Sequence, residues 1–369
     1  MDVVIAALSA RPLLAAADRD GLTAGVVDAF ADRETRRLAQ AWQQIPAPSG
    51  QLVGSSLRRA VAAVAPPGVG LVYGSGVDAE DLAEVVGQRP LFGNPPAVAT
   101  AATRPDQWLP LWRQLGVVHP ETRLEPPRSL AGWLVKRVGA AGGGHIRPAG
   151  SGLAAGYYWQ RRLNGRAVSL QALCDGRQAR VFASCDQWTA PTPAQPFRFG
   201  GIATPTVDGA WLAAGHAAVA KVTAALGLVG LNSFDFIASG NEAFLLEVNP
   251  RPGISLDLFA DTLPGLLRRH LDVCTGTAAA AVEAGAGGRA LAFIYAATAA
   301  VVPATGVWPA WAHDIPVAGT MLAAGDPVCT VSAAADDTAA ACRLVEQRQR
   351  RIALLLDSFA PAALAGRTR

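Results

Sequence analysis

The stretch that most restricts what this chain can become lies between Phe234 and Gly253. It reads Phe234-Asp235-Phe236-Ile237-Ala238, a turn Ser239-Gly240-Asn241-Glu242, then Ala243 to Val248 and Asn249-Pro250-Arg251-Pro252-Gly253. Two apolar strands around a glycine turn predict a hairpin. The pairing that sets Ala238 against Phe244 and Phe236 against Leu246 puts Asp235 opposite Glu247. Side chains alternate along a strand, so Glu247 and Asn249 share a face. Two carboxylates side by side in an apolar hairpin repel, and burying them is costly. A hard cation relieves both problems, and magnesium takes few carboxylates and completes its octahedron with phosphate oxygens. Arg251, at the strand end, adds a rigid fork for a phosphate or carboxylate. The bland alternative is a solvent-facing strand edge carrying chance acids.

Two further segments point the same way. Lysine occurs only twice, at Lys136 and Lys221, and Lys136 sits in the predicted strand Trp133 to Val138. Gly139-Ala140-Ala141-Gly142-Gly143-Gly144 follows directly. Such small residues let backbone N–H groups close over a phosphate, and the lysine adds a point charge. The lysine precedes the glycines, so this is no Walker A loop; a mobile lid that excludes water is the functional reading, a plain hairpin turn the structural one. The segment Tyr158-Trp159-Gln160-Arg161-Arg162-Leu163-Asn164-Gly165, with Ser169 beyond it, is either an amphipathic strand or a hinge whose backbone meets an adenine edge between two lobes.

Around these segments the chain reads as mixed α/β. Val3 to Leu8, Ala10 to Arg19 and Ala24 to Val27 form a strand–helix–strand unit of parallel type. Ser9-Ala10-Arg11-Pro12 occupies the turn where a dinucleotide site needs G-x-G-x-x-G, which argues against such a site. Val69 to Tyr73 adds a strand, and the prolines between Pro90 and Pro96 mark the end of a first lobe. Trp108 to Leu115 is helical. Strands follow at Tyr157 to Leu163, Val168 to Leu173 and Arg180 to Gln187. Ala210 to Leu226 is a long helix stopped by Gly227. From Arg289 short apolar segments alternate with Pro and Gly, and a helix from Thr338 to Leu356 closes the chain. The expected domains are 1–96, 97–165, 166–284 and 285–369.

Composition removes several classes. With 51% hydrophobic residues the 369-residue chain can build a large core, and a net charge of +3 without a basic run offers no nucleic-acid or membrane surface. The five cysteines, Cys174, Cys185, Cys274, Cys329 and Cys342, form no C-x-x-C pair and read as reduced thiols. Met1 to Ile5 lacks the basic start of a signal peptide, and the longest apolar stretch, Ala290 to Ala304, falls short of the roughly 20 residues that span a bilayer. A soluble, cytoplasmic protein is expected.

Taken in order, the lysine strand with its glycine flap, the hinge strand, and the hairpin with an acid in its first strand and Glu-x-Asn-x-Arg in its second resemble the ATP-grasp superfamily, over about residues 1 to 280. The resemblance implies an ATP-grasp fold with an N-terminal Rossmann-like pre-ATP-grasp domain, a lid subdomain with the flap, a large subdomain with the metal site, and a small β-rich C-terminal lobe. It implies that Lys136 binds ATP phosphates under a flap containing Gly142, Gly143 and Gly144. Gln160, Arg161 and Leu163 then lie at the adenine hinge, and Asp235, Glu247 and Asn249 bind Mg2+, with Mn2+ as a substitute. Arg251 stabilises an acyl-phosphate. Many members carry an earlier lysine where this chain has Thr103-Arg104-Pro105, so Arg104 either substitutes or the contact is missing.

Within the superfamily the chain resembles the tyramine–glutamate ligases of methanofuran synthesis and their methylofuran counterparts, on the Asn249-Pro250-Arg251-Pro252-Gly253-Ile254-Ser255 segment and the tail Asp314-Ile315-Pro316 to Val331. This implies a carboxylate–amine ligase that joins glutamate and tyrosine, with amino acids as its small-molecule partners and a homodimer as the candidate assembly. Arg198 is the candidate cation for the tyrosine carboxylate. Other readings are a different amino-acid or dipeptide ligase, or a non-catalytic nucleotide-binding module, which the intact Asp235, Glu247, Asn249 and Arg251 argue against. No nucleophilic Ser, Cys or His is needed. Of His119, His145, His216, His270 and His313, only His145 borders the flap.

Overall fold

The computed structural model describes residues 1–150, 156–205, 209–278, 280–282, 284–304 and 308–359. An N-terminal lobe runs β1 (Val3–Ala6), α1 (Arg11–Arg19), β2 (Ala24–Asp28), α2 (Arg33–Leu38), β3 (Ala41–Gln44), α3 (Gly54–Val64), β4 (Gly70–Tyr73), α4 (Ala79–Val86) and β5 (Leu91–Phe92). Its strands pair in parallel in the order β3-β2-β1-β4-β5. β1, β2 and β4 are buried along their whole length, as a parallel sheet covered by helices on both faces requires. The expected first strand, helix and second strand are all present. The helices α2 to α4 lie outside the sequence expectation, although α3 and α4 each bury one apolar face, Leu57, Ala60, Val61 and Val64 in α3 and Leu82 and Val85 in α4.

Two helices, α5 (Pro96–Thr103) and α6 (Pro105–Gln114), lead into a small lobe with β6 (Thr122–Arg123), β7 (Trp133–Arg137), β8 (Arg147–Pro148) and β9 (Tyr157–Arg161), ordered β6-β9-β7-β8. The large lobe follows with β10 (Arg166–Asp175), β11 (Ala179–Thr189), β12 (Phe199–Ala203), α7 (Trp211–Leu226), β13 (Val229–Ser239), β14 (Glu242–Asn249), α8 (Ser255–Leu258) and α9 (Leu266–Cys274). The chain ends with β15 (Gly288–Tyr295), β16 (Ala300–Val301), β17 (Ala312–His313), β18 (Met321–Leu322), β19 (Pro327–Ala335) and α10 (Thr338–Asp357). Among the described residues β15, β19 and β17 extend the sheet of the large lobe, giving eight strands in the order β14-β13-β10-β11-β12-β15-β19-β17. The expected boundary at 284/285 therefore falls between strands of one continuous sheet.

The hairpin register departs from the sequence expectation in one respect. Asp235 does pair with Glu247, but Phe236 pairs with Leu245 and Ala238 with Ala243, with a register shift between Asp235 and Phe236. The shift accommodates one extra residue in β14, a β-bulge. Its effect shows in burial: Ala243 and Leu245 are buried, Leu246 and Glu247 both half-exposed, and Val248 buried again. Strict alternation from Leu245 aims Glu247 and Asn249 into the core beneath α7. The bulge turns both to the opposite face, where Asp235 already points.

That core holds the sheet in place. Phe234 and Phe236 are fully buried against Trp211, Val219 and Val222 of α7, with Leu170 and Leu245 beside them. α7 stops where Gly227 adopts a left-handed φ of 68°, as expected from its sequence position. On the other face, α1 packs with α8 and α9 in one cluster, so the N-terminal lobe shares a core with the large lobe. All five cysteines are free. No helix among the described residues is long and apolar enough to cross a membrane.

A buried ion triad joins three parts of the chain. Arg11, at the start of α1, holds Asp257 of α8 through two bonds of 2.7 and 2.5 Å, and Asp314 near the C-terminal end through two of 3.0 and 2.7 Å. Thr330 and Ser9 donate further bonds to Asp314 at 2.7 and 3.0 Å. The side chain of Arg11 is 3% exposed. Removing it strands two carboxylates in the interior, and breaking a buried pair this way costs ~3–5 kcal/mol. We expect Arg11→Leu to lower the melting temperature by several degrees, measured by scanning calorimetry; an unchanged melting temperature means the triad adds nothing to the lobe junction.

Candidate active site

The site forms where the β13–β14 hairpin, the small lobe and the N-terminal lobe meet. Asp235 is the centre of its polar network. Gln187 Nε2 of β11 donates to Asp235 Oδ1 at 3.0 Å, and Asn249 Nδ2 donates to Asp235 Oδ2 at 2.9 Å. Arg251 in turn donates to Asn249 Oδ1 at 2.9 Å and to the Pro252 carbonyl at 3.3 Å. Burial first, and then the charge of Glu247, push Asp235 well above the usual carboxylate range; the Gln187 bond and Arg251 pull it back only in part.

The end of β14 is fixed from outside the hairpin. Tyr73 Oη, from the N-terminal lobe, donates to the Pro250 carbonyl at 3.0 Å, and Asn94 Nδ2 donates to the same oxygen at 2.9 Å. Asn94 Nδ2 also reaches Asn232 Oδ1 of β13 at 2.8 Å, and Asn94 Oδ1 accepts from Val229 N at 2.8 Å. Arg251 therefore follows a residue whose carbonyl is held by two bonds from the N-terminal lobe. Sequence reasoning missed Gln187, Tyr73 and Asn94. Gln187 carried a faint signal, a polar residue at the end of the predicted strand Arg180 to Gln187. Tyr73 and Asn94 carried none, because their partners on the hairpin lie more than a hundred residues away.

Lys136 is 3% exposed, and among the described residues no ion pair reaches it. Burial lowers its pKa, while the fields of Glu247 and Asp235 favour its charged form. A cation so placed, across from two acids, suits a polyphosphate with a divalent ion between them. The described residues contain no cluster of three or more His, Cys, Asp or Glu able to hold a metal alone. Two carboxylates and one amide are the donor set expected when substrate phosphates supply the rest of a magnesium octahedron. Asp235, Glu247 and Asn249 thus fit that ion, with Asn249 Oδ1 now engaged by Arg251.

Beside this network lies a cavity of ≈ 320 Å³. One wall is Glu247 to Arg251, a second is the small-lobe stretch Arg137 to Ala141 with His145, and a third comes from the N-terminal lobe through Tyr73, Asp78 and Glu80. Arg104 lines it too, paired closely with Glu80 and at 3.5 Å with Asp106. Gly142 to Gly144 turn away from the cavity onto the loop before β12. The Gly142 carbonyl accepts from Phe199 N at 2.9 Å, and a Cβ on Gly143 (φ +70°) meets the Phe197 carbonyl at 2.1 Å, so only glycine fits this approach. At the hinge, the side chains of Gln160 and Arg161 serve the small lobe: Gln160 reaches Thr122 at 3.4 Å, and Arg161 bonds the Ala131 carbonyl at 3.0 Å over the Trp133 ring. Leu163 follows the strand, half-buried. Arg198 lies outside the cavity lining, stacked 3.7 Å from the Tyr295 ring centre and bonded to the Ala190 carbonyl at 3.0 Å.

Residues 111–255, which span the small lobe, the hinge and the acidic hairpin, match the family model of the ATP-grasp domain. The fold is ATP-grasp. The N5-carboxyaminoimidazole ribonucleotide synthetase of Thermus thermophilus is similar with a TM-score of 0.67 at 16% identity, over 98% of this chain and 99% of that one. The biotin carboxylase of Campylobacter jejuni, in a complex with beta-gamma-ATP, is similar with a TM-score of 0.70 at 14% identity, over 96% of this chain and 95% of that one. Comparison with curated proteins gave no match. The likeness in fold to these structures therefore extends over nearly all of the chain, beyond residues 111–255.

The raised pKa of Asp235 has a consequence for the metal-free protein. A carboxyl that holds its proton in the folded state and loses it on unfolding adds stability at low pH, which is lost as pH rises through its folded pKa. We expect metal-free Asp235→Asn to melt above the parent at pH 8.5 and this advantage to shrink as the pH falls to 5 and below, towards the unfolded carboxyl's own pKa, compared in EDTA by thermal unfolding. A variant less stable than the parent at pH 8.5 contradicts the repulsion between Asp235 and Glu247.

Proposed function

We propose that this protein is an ATP- and magnesium-dependent ligase that activates a carboxylate as an acyl-phosphate and joins it to an amine. The observation that carries the reading is the buried Lys136 within the field of the Asp235–Glu247 pair, with Glu247 and Arg251 lining the cavity beside them. Bound magnesium supplies charge neutralisation between the phosphates and these acids. The chain's own residues do the rest. Lys136 holds phosphate oxygens, and Arg251 offers its guanidinium to the carboxylate oxygen that attacks and to the acyl-phosphate that results. The stretch Arg137 to Ala141 covers the cavity and keeps water from the intermediate. No side-chain nucleophile is called for.

Amino acids are the substrates we infer. The cavity presents both signs of charge, Asp78 and Glu80 with its paired Arg104 on one side and Arg137 and Arg251 on the others, which suits molecules carrying an ammonium and a carboxylate. Its volume suits small ligands. Within that class the sequence resemblance favours glutamate and tyrosine, joined as an early step of a methylofuran-type cofactor. Tyr73, Trp108 and Tyr158 give the cavity an aromatic side. Arg104, exposed to the cavity, replaces Arg198 as the candidate partner of the tyrosine carboxylate. ATP bound through the hinge at Gln160, Arg161 and Leu163 belongs to the same reading.

Purified protein is incubated with ATP, magnesium and pairs of amino acids, with bicarbonate as a separate acid, and products are sought one water lighter than the pair. ADP release that requires glutamate and tyrosine supports the full proposal, whereas another productive pair leaves the ligase and removes the cofactor assignment. ATP binding without substrate-dependent ADP release under any pairing refutes the ligase. Glu247→Gln is expected to lower turnover by at least ~100-fold, in the range of losing an electrostatic group at a reacting centre, with an unchanged melting temperature. Near-parental ADP production by this variant at low magnesium removes Glu247 from the metal site.

A further inference from the structure

The hydroxyl of Tyr158 takes no part in the chemistry above. Tyr158 pairs with Lys136 across the antiparallel strands β7 and β9, and directly opposed residues share one face of a sheet. The two side chains therefore leave the small lobe side by side. Tyr158 is the member of the pair that lines the ≈ 320 Å³ cavity, together with Glu247 and Arg251. Its ring is fixed edge-on against Trp108 of α6, with centroids 6.1 Å apart. The residue is only 6% exposed, and a buried phenol ordinarily finds a hydrogen-bond partner. Among the described residues the Tyr158 hydroxyl has none. It is also not sealed in the interior, as the unpartnered Nε1 atoms of Trp112 and Trp159 are, so it opens on the cavity that the residue lines. Tyr73, another tyrosine of this cavity, gives the contrast: its hydroxyl is engaged by the carbonyls of Asn94 and Pro250 at 3.1 and 3.0 Å. Burial first, and then the field of Glu247, hold the Tyr158 phenol well above its ordinary pKa, so at neutral pH it keeps its proton and is a donor in want of an acceptor.

We propose that Tyr158 is a catalytic residue whose hydroxyl donates to the substrate carboxyl oxygen that does not attack phosphorus, the oxygen that becomes the oxyanion of the amide-forming step. The inference rests on the ligase reading given above. In the first step one carboxylate oxygen bonds to the γ-phosphorus of ATP. The bond from that phosphorus to the bridging oxygen breaks, and its electron pair leaves with ADP. The second carboxylate oxygen remains as the carbonyl of the acyl-phosphate. A neutral amine nitrogen then bonds to the acyl carbon, and the carbonyl electron pair moves onto that oxygen. The pair returns as the bond from carbon to the phosphate oxygen breaks. Phosphate departs and takes the extra proton of the nitrogen, leaving a neutral amide. Charge on the carbonyl oxygen peaks between these two events, and a preorganised donor in a water-poor site acts most strongly there. Lys136 holds the phosphate end of the intermediate, and its strand neighbour Tyr158 holds the acyl end.

The two steps can be read apart. With ATP, magnesium and one acid at a time, either an amino acid or bicarbonate, movement of an oxygen-isotope label out of the β–γ bridge of ATP reports phosphoryl transfer alone. Amide formation, with the acid found in this way and each amino acid as the amine, reports both steps. Tyr158→Phe removes only the hydroxyl and keeps the ring against Trp108. We expect its isotope exchange within about threefold of the parent and its amide formation lower by ~100-fold, the range of a lost oxyanion donor. Retained isotope exchange also shows that the variant is folded and binds its substrates. Equal losses in both assays, or amide formation at the parental rate, overturn the assignment of Tyr158 and leave the ligase intact. A parent protein that shows neither isotope exchange nor amide formation with any acid overturns the ligase reading and this inference together.

Discussion

Two carboxylates held side by side in a protein interior repel, and much of the surrounding structure keeps Asp235 and Glu247 where they are. The bulge in β14 brings Glu247 to the face that Asp235 occupies. Gln187 and Asn249 spread the charge of Asp235 by donating to both its oxygens. Behind the pair, Phe234 and Phe236 lock β13 to α7, so the acids cannot separate without opening an apolar core. Repulsion of this kind persists only where neighbouring contacts overdetermine it.

The lobes are joined by the same logic applied at a distance. Arg11, near the start of the chain, satisfies two carboxylates from its last third, Asp257 and Asp314, and Tyr73 and Asn94 fix the carbonyl of Pro250 from the N-terminal lobe. The cavity is therefore bounded by surfaces whose relative position is set by buried polar bonds, which depend strongly on geometry. The flap's outer turn, Gly142 to Gly144, leans on the loop before β12, a seat contributed by the large lobe.

Much of this was legible in the sequence, for reasons that can be named. The acid pair could be placed because β-strand alternation is rigid and the hairpin is otherwise apolar. Its full register could not, because a bulge leaves no mark in the residue pattern; the doublet Leu245-Leu246 fits either pairing. Lys136 stood out through the rarity of lysine. The parallel start of the chain showed in Val3 to Leu8, whereas α3 and α4, although amphipathic, are short and did not stand out. Contacts that close over long separations, such as Asn94 to Asn232, are set by topology and are invisible to local reasoning. The C-terminal segment looked like a separate lobe because its strands are short and broken by Pro and Gly, yet β15 completes the main sheet by pairing with β12.

That pairing bears on how the chain must be made. β12 is a central strand whose second neighbour, β15, is synthesised only after α7, the acidic hairpin and α9 have emerged. Until then β12 presents a row of open backbone N–H and C=O groups, the kind of edge that invites pairing with another chain. The ATP-grasp half of the molecule is in this sense unfinished when its own last residue leaves the ribosome. Its protection from mispairing arrives with the C-terminal strands, which close the β12 edge by pairing with it.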